Sequence, residues 1–261
     1  MELSPQPPPQ RVRFLLCGAQ KAGTTALDAY LRLHPQLGFP TDKEPHFFDD
    51  ESVDWSGDSG VREQRYHDLF QSNDCRGKVW GESTPIYVYW RPSAERIWRY
   101  NPAMRLVVLL RNPITRAYSH WTMESRRGHE PLDFMTALQR ESVRCQDAAP
   151  LQHRIYSYVD RGRYSQQLQR LWSWFERDAV LVLRQEDLQQ QPAETLQRVY
   201  RHLGVAELPF NTPLQRHVQP YGEPMPAEAW PWLRDCFAAE IAELETLLGW
   251  DCSTWLHDPE G

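Results

Sequence analysis

Residues Gly18 to Thr25 read Gly-Ala-Gln-Lys-Ala-Gly-Thr-Thr, and this stretch decides the fold that the chain is expected to adopt. The mostly apolar segment Val12–Cys17 precedes it, and residues 27–34 carry apolar side chains at helical spacing. A strand, a tight turn with glycine and the start of a helix therefore follow one another. Backbone N–H groups without partners and the positive end of the helix dipole converge there on one point. The stretch predicts an anion site that suits a phosphorylated small molecule.

The position of the lysine separates this turn from the phosphate loop of nucleoside triphosphatases. Gly18 and Gly23 have the spacing of that loop, but Thr24 stands where its lysine belongs. The lysine instead lies inside the turn, at Lys21. A cation there can reach the bridging oxygen of a phosphate ester directly, while Thr24 and Thr25 offer backbone and hydroxyl donors. For these residues alone, an ordinary strand-to-helix turn is the alternative.

A second apolar run, Arg105–Leu110, predicts a buried central strand of a parallel sheet. It ends in Arg111, where triphosphatases commonly carry an aspartate that holds magnesium, so the arginine favours direct contact with an anion. Pro113 then begins a helix, and Ser119 lies two turns along it. We predict that Arg111 and Ser119 hold a second phosphate. The alternatives are a surface ion pair for the arginine and a solvated serine.

The rest of the chain alternates predicted strands and helices. Val180–Leu183 predicts another buried strand, residues 61–71 predict a helix, and Pro192 begins a further one. This alternation predicts an α/β fold with a parallel sheet flanked by helices on both faces. The first ten residues contain four prolines and are expected to form a flexible lead, residues 1–10, before one domain at residues 11–261.

Composition excludes several classes of protein. The net charge of −6 argues against a nucleic-acid binder. The sequence has neither an apolar run of about 18 residues nor a secretory signal, so we expect no membrane span. The five cysteines are scattered and odd in number, which suits reduced thiols and predicts a cytoplasmic protein. The histidines show no metal-binding spacing, and no metal is expected.

Four segments resemble the motifs of sulfotransferases that use 3′-phosphoadenosine 5′-phosphosulfate (PAPS). They are Lys21–Leu27, Lys43–Phe48, Gly81–Tyr87 and Leu110–Trp121. The likeness is to the branch with heparan sulfate sulfotransferases and many bacterial enzymes, and it extends from about residue 12 to about residue 255. The resemblance implies the sulfotransferase variant of the P-loop NTPase-like fold, with PAPS as cofactor and no metal.

The same resemblance implies roles at the nucleotide. Lys21 and the backbone of the next five residues would bind the 5′-phosphosulfate, and Lys21 would stabilise the leaving phosphate. Those five residues are Ala22, Gly23, Thr24, Thr25 and Ala26. Arg111 and Ser119 would bind the 3′-phosphate, and Tyr164 would line the adenosine. Related glycan enzymes have a basic loop that closes over the nucleotide, but this chain has no lysine there and Arg216 is the candidate, with His217 or Tyr221 as substitutes.

Glu82 is the candidate for the base that accepts the acceptor's proton. Residues 78–80 predict the end of a short strand, so Glu82 is expected at the sheet edge where ligands collect. The resemblance implies the base role, whereas a capping carboxylate is the alternative. His46 is a rival base because imidazole titrates near neutral pH. The candidates for acceptor binding are Lys43, Glu44, His46 and Tyr87.

These observations together predict an enzyme that moves a sulfuryl group in line, without a metal ion, from PAPS to a hydroxyl acceptor. The acceptor would be a glycan, a lipid or another small metabolite. Two alternatives stay open from the residues alone: a P-loop small-molecule kinase and a non-catalytic nucleotide-binding protein. Thr24 and Arg111 disfavour the kinase, because a kinase needs a lysine and a magnesium ligand at those places.

Overall fold

A five-stranded parallel sheet lies at the centre of the protein, whose computed structural model describes residues 10–71, 75–210 and 223–257. The strands are β1 (Phe14–Gly18), β2 (Leu37–Gly38), β3 (Val79–Ser83), β4 (Arg105–Leu110) and β5 (Val180–Arg184). Their order is β2-β3-β1-β4-β5, and every neighbouring pair is parallel. The three strands predicted from apolar runs are confirmed, whereas β2 was not predicted. Most of the expected flexible lead, residues 1–9, lies outside the described residues.

Helices connect the strands within these ranges. They are α1 (Thr24–Arg32), α2 (Ser59–Asp68), α3 (Ser93–Tyr100), α4 (Pro113–Arg126), α5 (Phe134–Asp147), α6 (Tyr164–Trp172), α7 (Gln185–Gln190), α8 (Pro192–Leu203) and α9 (Ala229–Leu248). The predicted helix starts at Pro113 and Pro192 are confirmed, and the side chain of Asn112 caps α4 by accepting the N–H of Ile114. Among the described helices, none is both long and apolar enough to span a bilayer.

The central strands are buried on both faces because their side chains alternate between two apolar cores. Leu15 and Val108 belong to the core beneath α4, α6 and α9, whereas Leu16 and Val107 belong to the core beneath α1 and α8. A sheet covered in this way needs near-continuous apolar strands, which is the pattern that Arg105–Leu110 carries. The predicted α/β arrangement with helices on both faces is confirmed.

The carboxyl ends of β1, β3 and β4 lie side by side, with β1 in the middle. Leu16 pairs with Ser83 on one side and with Val107 on the other. After β1 the chain forms β2 at the edge of the sheet, then β3 beside β1, and then crosses to β4 on the opposite side of β1. Such a reversal of strand order opens a crevice in which α/β sheets bind ligands. The segments that follow these three strands therefore meet at one edge.

Strand β3 is longer than predicted. Residues 81–83 continue the strand because they pair in parallel with residues 14–16 of β1. Gly81 permits this pairing, since a Cβ atom there would lie 2.1 Å from the ring of Phe14. The expectation that Glu82 follows the strand end is therefore wrong, and Glu82 lies within β3.

The last described turn packs against the start of α4. It is the 3-10 turn Ser253–Leu256, and it follows α9, a helix of 20 residues that was not among the predicted elements. Asn112 Nδ2 donates a hydrogen bond to the carbonyl oxygen of Trp255 (3.0 Å), and Trp255 Nε1 donates to Glu186 Oε1 (3.0 Å). The cap of α4 and the first turn of α7 are thus held by residues near the end of the chain.

Candidate functional site

The turn between β1 and α1, residues 19–23, is held in shape by backbone hydrogen bonds, and we refer to it as the anion turn. The Ala19 N–H donates to Leu109 O (2.8 Å), and the Ala22 N–H donates to Ala19 O (3.1 Å). Gly23 has a φ of 90°, a left-handed conformation that costs an L-residue about 1 kcal/mol. A Cβ atom there would also lie 3.3 Å from Gln185 Nε2. Glycine is therefore required where the chain enters α1.

Three backbone amides at the start of α1 are open to a ligand. Those of Gly23, Thr24 and Thr25 have no acceptor among the residues that the structure describes. The other two amides of the predicted set, in Ala22 and Ala26, already donate to carbonyls of the same turn. Because the first amides of a helix also carry the positive end of its dipole, this arrangement favours an anion.

Lys21 adds a cation inside the anion turn. Its side chain is half-buried, and no acceptor in the described part of the chain pairs with its Nζ. Burial lowers the pKa of Lys21, and the positive charges of Arg111 and Arg127 lower it further. A bound anion would oppose this shift by supplying the missing negative charge. The backbone of Lys21 is also left-handed, with a φ of 70°.

Arg111 follows β4 directly and reaches the anion turn. Its NH1 donates to Lys21 O (3.3 Å), and its Nε donates to Thr115 Oγ1 (2.9 Å). Arg111, Thr115 and Ser119 are four residues apart, which places them on one side of α4. Thr115 was not predicted, although this spacing could have identified it. The two predicted cations thus lie at neighbouring strand ends.

Tyr164 and Arg216 were predicted to complete the nucleotide site. Tyr164 is buried at the start of α6, and its hydroxyl donates to the carbonyl oxygen of Arg111 (3.0 Å). The tyrosine therefore holds the backbone of Arg111, and its direct contact with a nucleotide stays a prediction. Arg216 lies outside the described residues, as do His217 and Tyr221.

The segment with Lys43 and Glu44 runs beside the anion turn. Lys43 Nζ donates to Thr25 Oγ1 (3.1 Å) and to Glu44 Oε1 (2.9 Å). The Glu44 N–H donates to Ser83 O at the end of β3 (3.1 Å). Glu44 and His46 have φ values of 61° and 55°, which are uncommon for residues other than glycine. Strained backbone of this kind is concentrated at functional sites, which agrees with the predicted role of the segment.

His46 lies at the surface, and a buried carboxylate orients its ring. The His46 side chain is 47% exposed, whereas that of Asp49 is fully buried. Nδ1 of His46 lies 3.0 Å from Asp49 Oδ2, and Nε2 lies 3.8 Å from Glu44 Oε2. The hydrogen bond with Asp49 raises the pKa of His46, so the ring carries more positive charge near neutral pH than a free histidine does.

Glu82 lies in the interior, with no exposed surface. Its Oε1 accepts a hydrogen bond from the Tyr66 hydroxyl (3.1 Å), its Oε2 accepts one from Thr84 Oγ1 (2.7 Å), and the Tyr87 hydroxyl adds another. Burial raises the pKa of Glu82 to about 7, and these hydrogen bonds limit the rise. The carboxyl group is therefore poised to exchange a proton near neutral pH, but no acceptor can touch it in this arrangement.

Tyr87, a predicted acceptor-binding residue, is also enclosed. Its side chain has no exposed surface, and its hydroxyl accepts the Phe48 N–H (3.4 Å). A surface cleft of about 390 Å³ opens beside His46 instead, and we refer to it as the His46 cleft. Asp49, Trp90 and Arg154 also line it, and neither Asp49 nor Arg154 was predicted as a site residue. The candidates thus divide into an open set around the anion turn and His46 and an enclosed pair, Glu82 and Tyr87.

The open donors around the anion turn are nitrogen and hydroxyl groups, which bind anions. Groups of three or more histidine, cysteine, aspartate or glutamate side chains placed for a metal ion are absent from residues 10–71, 75–210 and 223–257. The five cysteines are all free thiols, and Cys17 is fully buried.

Comparisons with known proteins show which family this chain is similar to. Residues 11–219 match the family model described as "Sulfotransferase domain". A solved sulfotransferase structure from Alicyclobacillus acidocaldarius is similar with a TM-score of 0.79 and 29% identity, over 95% of this chain and 99% of that one. This similarity extends along nearly all of both chains and includes the sheet described above.

Curated relatives are similar over a shared segment. Heparan sulfate glucosamine 3-O-sulfotransferase 6 from Homo sapiens is 31% identical over 203 residues, which are 76% of this chain and 54% of that protein. Bifunctional heparan sulfate N-deacetylase/N-sulfotransferase 2 from Bos taurus is 28% identical over 208 residues, which are 74% of this chain and 22% of that protein. The chain thus spans about half the length, or less, of these relatives.

Proposed function

Since the chain belongs to the sulfotransferase domain family, we propose that it moves a sulfuryl group from PAPS to a hydroxyl group of an acceptor. The observation that carries the proposal is the pair of cations Lys21 and Arg111 at neighbouring strand ends, beside three open amides. PAPS, when bound, supplies a sulfuryl group activated by its bond to phosphate, and it carries a second anion at its 3′ position. The donors described above fit two such anions.

Lys21 and the amides of Gly23, Thr24 and Thr25 would hold the phosphosulfate. Lys21 would stabilise the phosphate oxygen from which the sulfur departs, because negative charge grows on that oxygen in the transition state. Arg111, with the hydroxyl groups of Thr115 and Ser119 on the same side of α4, would hold the 3′-phosphate. This contact would also fix the orientation of the phosphosulfate at the other end of the nucleotide. The acceptor oxygen forms the new bond to sulfur as the old one breaks, and its proton passes to a base on the protein.

We propose Glu82 as this base. Its pKa of about 7 suits a group that must accept a proton at neutral pH. Because Tyr66 and Thr84 cover the carboxylate, one of these hydroxyl groups must relay the proton or move aside. Glu44 and His46 are the rival pair, since they lie open beside the anion turn and need no such movement.

The acceptor is proposed to be a hydroxyl group on a glycan, a lipid or another small metabolite. The similar human protein is named for 3-O-sulfation of heparan sulfate glucosamine, which makes glycans the first class to test. The similar bovine protein is named an N-sulfotransferase, so amine acceptors belong in the same panel.

Transfer of labelled sulfate from PAPS tests this proposal. Purified protein is incubated with sulfur-labelled PAPS and separate panels of glycans, lipids and small alcohols or amines, and the products are identified by mass spectrometry. We expect transfer to a member of one panel without added metal. Failure to bind adenosine 3′,5′-bisphosphate, together with no transfer, would contradict the proposal.

Replacement of the arginine at the end of β4 separates binding from chemistry. In Arg111→Ala we expect a weaker affinity for adenosine 3′,5′-bisphosphate and a higher KM for PAPS, with a smaller effect on kcat, because the residue holds a non-reacting phosphate. Calorimetry and initial rates measure the two effects. Arg105→Ala is the matched control, because Arg105 lies at the opposite end of the same strand. A purely kcat effect in Arg111→Ala would contradict this role.

A further inference from the structure

Arg161 is a buried cation to which the proposed chemistry gives no role. Its NH1 donates to Gln20 Oε1, in the anion turn. Its NH2 donates to Arg154 O (2.8 Å) and lies 3.4 Å from His153 O. The guanidinium carbon lies 4.5 Å from the ring centre of Tyr89. A single side chain therefore connects the anion turn with the segment at residues 153–154.

That segment carries Arg154, which lines the His46 cleft. The guanidinium group of Arg154 lies 4.1 Å from the ring centre of Trp90 and donates to both the carboxylate and the carbonyl oxygen of Asp49. The same carboxylate orients His46, with 3.0 Å between Oδ2 and Nδ1. The position of the Arg154 backbone thus influences where Asp49 and His46 lie.

The burial of Arg161 makes this connection sensitive to its partners. A buried guanidinium group needs hydrogen-bond acceptors, because an unpaired buried charge is strongly destabilising. The Nε of Arg161 already has no partner among the described residues. The side-chain oxygen of Gln20 is the acceptor that NH1 uses, and NH2 uses main-chain oxygens. Displacement of Gln20 therefore forces Arg161, and with it residues 153–154, to adjust.

We propose that Arg161 and Arg154 are positioning residues that make the His46 cleft depend on the bound nucleotide. The inference rests on the proposed function, which puts the nucleotide at the anion turn, and it adds that the acceptor lies in the His46 cleft, where the predicted acceptor-binding residue His46 is exposed. A phosphate held by Lys21 fixes the anion turn, and Gln20 then holds Arg161. Arg161 in turn holds residues 153–154, from which Arg154 reaches Asp49. The bound nucleotide accordingly stabilises the arrangement of the residues that line the cleft for the hydroxyl acceptor.

Hydrogen exchange of the full chain, measured by mass spectrometry, tests the connection. The probe is adenosine 3′,5′-bisphosphate, at a concentration that calorimetry shows to be saturating for each variant. In the wild-type protein we expect the nucleotide to slow exchange several-fold in residues 150–162, with no change in α8 on the other face of the sheet. Gln20→Ala, saturated with nucleotide, should lose this slowing, and Gln20→Glu, which keeps an acceptor for Arg161, should restore it.

The outcomes separate the two proposals. A wild-type protein that binds the nucleotide without slower exchange in residues 150–162 overturns the connection alone. Equal slowing in Gln20→Ala and the wild-type protein also overturns it. A purely structural role of Gln20 would alter exchange equally with and without nucleotide, and that result counts against the proposal too. Absence of nucleotide binding in the wild-type protein overturns the proposed function and the connection together.

Discussion

At the scale of single residues, Lys21 holds its charge in a half-buried position where no described acceptor bonds its Nζ. Keeping a cation in such a place costs free energy, because burial removes water from the charge, and the pKa of Lys21 is lowered for this reason. An oxygen that becomes more negative during the reaction would gain most from this cation. The effect of removing Lys21 should therefore appear in turnover more than in ground-state binding.

We expect Lys21→Ala to lower turnover by about 100-fold or more, because it removes a preorganised positive charge from the leaving oxygen. The loss of affinity for adenosine 3′,5′-bisphosphate should be smaller. Initial rates and calorimetry measure the two effects. Lys78→Ala is the matched control, since Lys78 directly precedes β3 and so lies at the amino ends of the strands, whereas the anion turn follows the carboxyl end of β1. Equal turnover in the two variants would remove Lys21 from the mechanism.

The pH dependence of turnover tests the role of Glu82. A base with a pKa of about 7 is mostly protonated below that pH, so turnover should rise as the pH increases through 7 and then level off. In Glu82→Gln we expect turnover to fall by about 100-fold or more and this dependence to disappear. Initial rates across the pH range measure both. Near-normal turnover with the same pH profile would transfer the role to Glu44 or His46, which Glu44→Gln and His46→Gln then distinguish.

The residues that could be predicted are those whose place follows from a neighbouring strand end. Arg111 comes directly after an apolar run and Lys21 four residues after one, so their position at the carboxyl ends of the strands could be read from the sequence. The contacts of Gln20 and Arg154 could not be read in the same way. Gln20 meets Arg161, 141 positions further along the chain, and Arg154 meets Asp49 across 105 positions, and no local pattern encodes such distances.

At the scale of elements, the boundaries were most predictable where proline and asparagine mark them. Helix α4 begins at Pro113 because Asn112 caps it and proline suits the first helical position. The end of β3 was misplaced because pairing with β1 depends on the fit of Gly81 against Phe14, which is a tertiary contact. The burial of Glu82 follows from that longer strand.

The glycine before α1 provides a test at this scale. We expect Gly23→Ala to destabilise the protein by about 1 kcal/mol or more and also to weaken binding of adenosine 3′,5′-bisphosphate, because the left-handed backbone shapes the anion turn. Denaturant unfolding and calorimetry measure these effects. Gly204→Ala is the control, since Gly204 has a similar φ of 68° but ends α8 with nothing within 4 Å of the added carbon. It should lose stability without losing affinity, and the same loss of affinity in both variants would argue against a special role for Gly23.

At the scale of the whole molecule, the alternation of strands and helices was sufficient to predict the parallel α/β architecture, which the strand order confirms. The family match and the similar solved structure confirm the sulfotransferase assignment. The His46 cleft, which we propose as the acceptor site, could not be predicted, because it is built from segments before and after β3 whose contacts arise only in the folded chain.

The rise in thermal stability with added ligand shows which nucleotide the protein binds. Adenosine 3′,5′-bisphosphate at 100 times its dissociation constant should add about 2.7 kcal/mol to the free energy of unfolding, because it binds the folded state. We expect a clear rise in Tm with this ligand, unchanged by EDTA, and a smaller one with ATP and magnesium. A larger shift with ATP and magnesium would favour the kinase alternative.

The hydrogen bond between Asn112 and Trp255 has a practical consequence for anyone who handles this enzyme. It joins residues 143 positions apart, so the start of α4 beside Arg111 is held in place by a tryptophan from a distant part of the sequence. Removing Trp255, or attaching a bulky group next to it, would loosen the beginning of α4 and weaken nucleotide affinity from a distance.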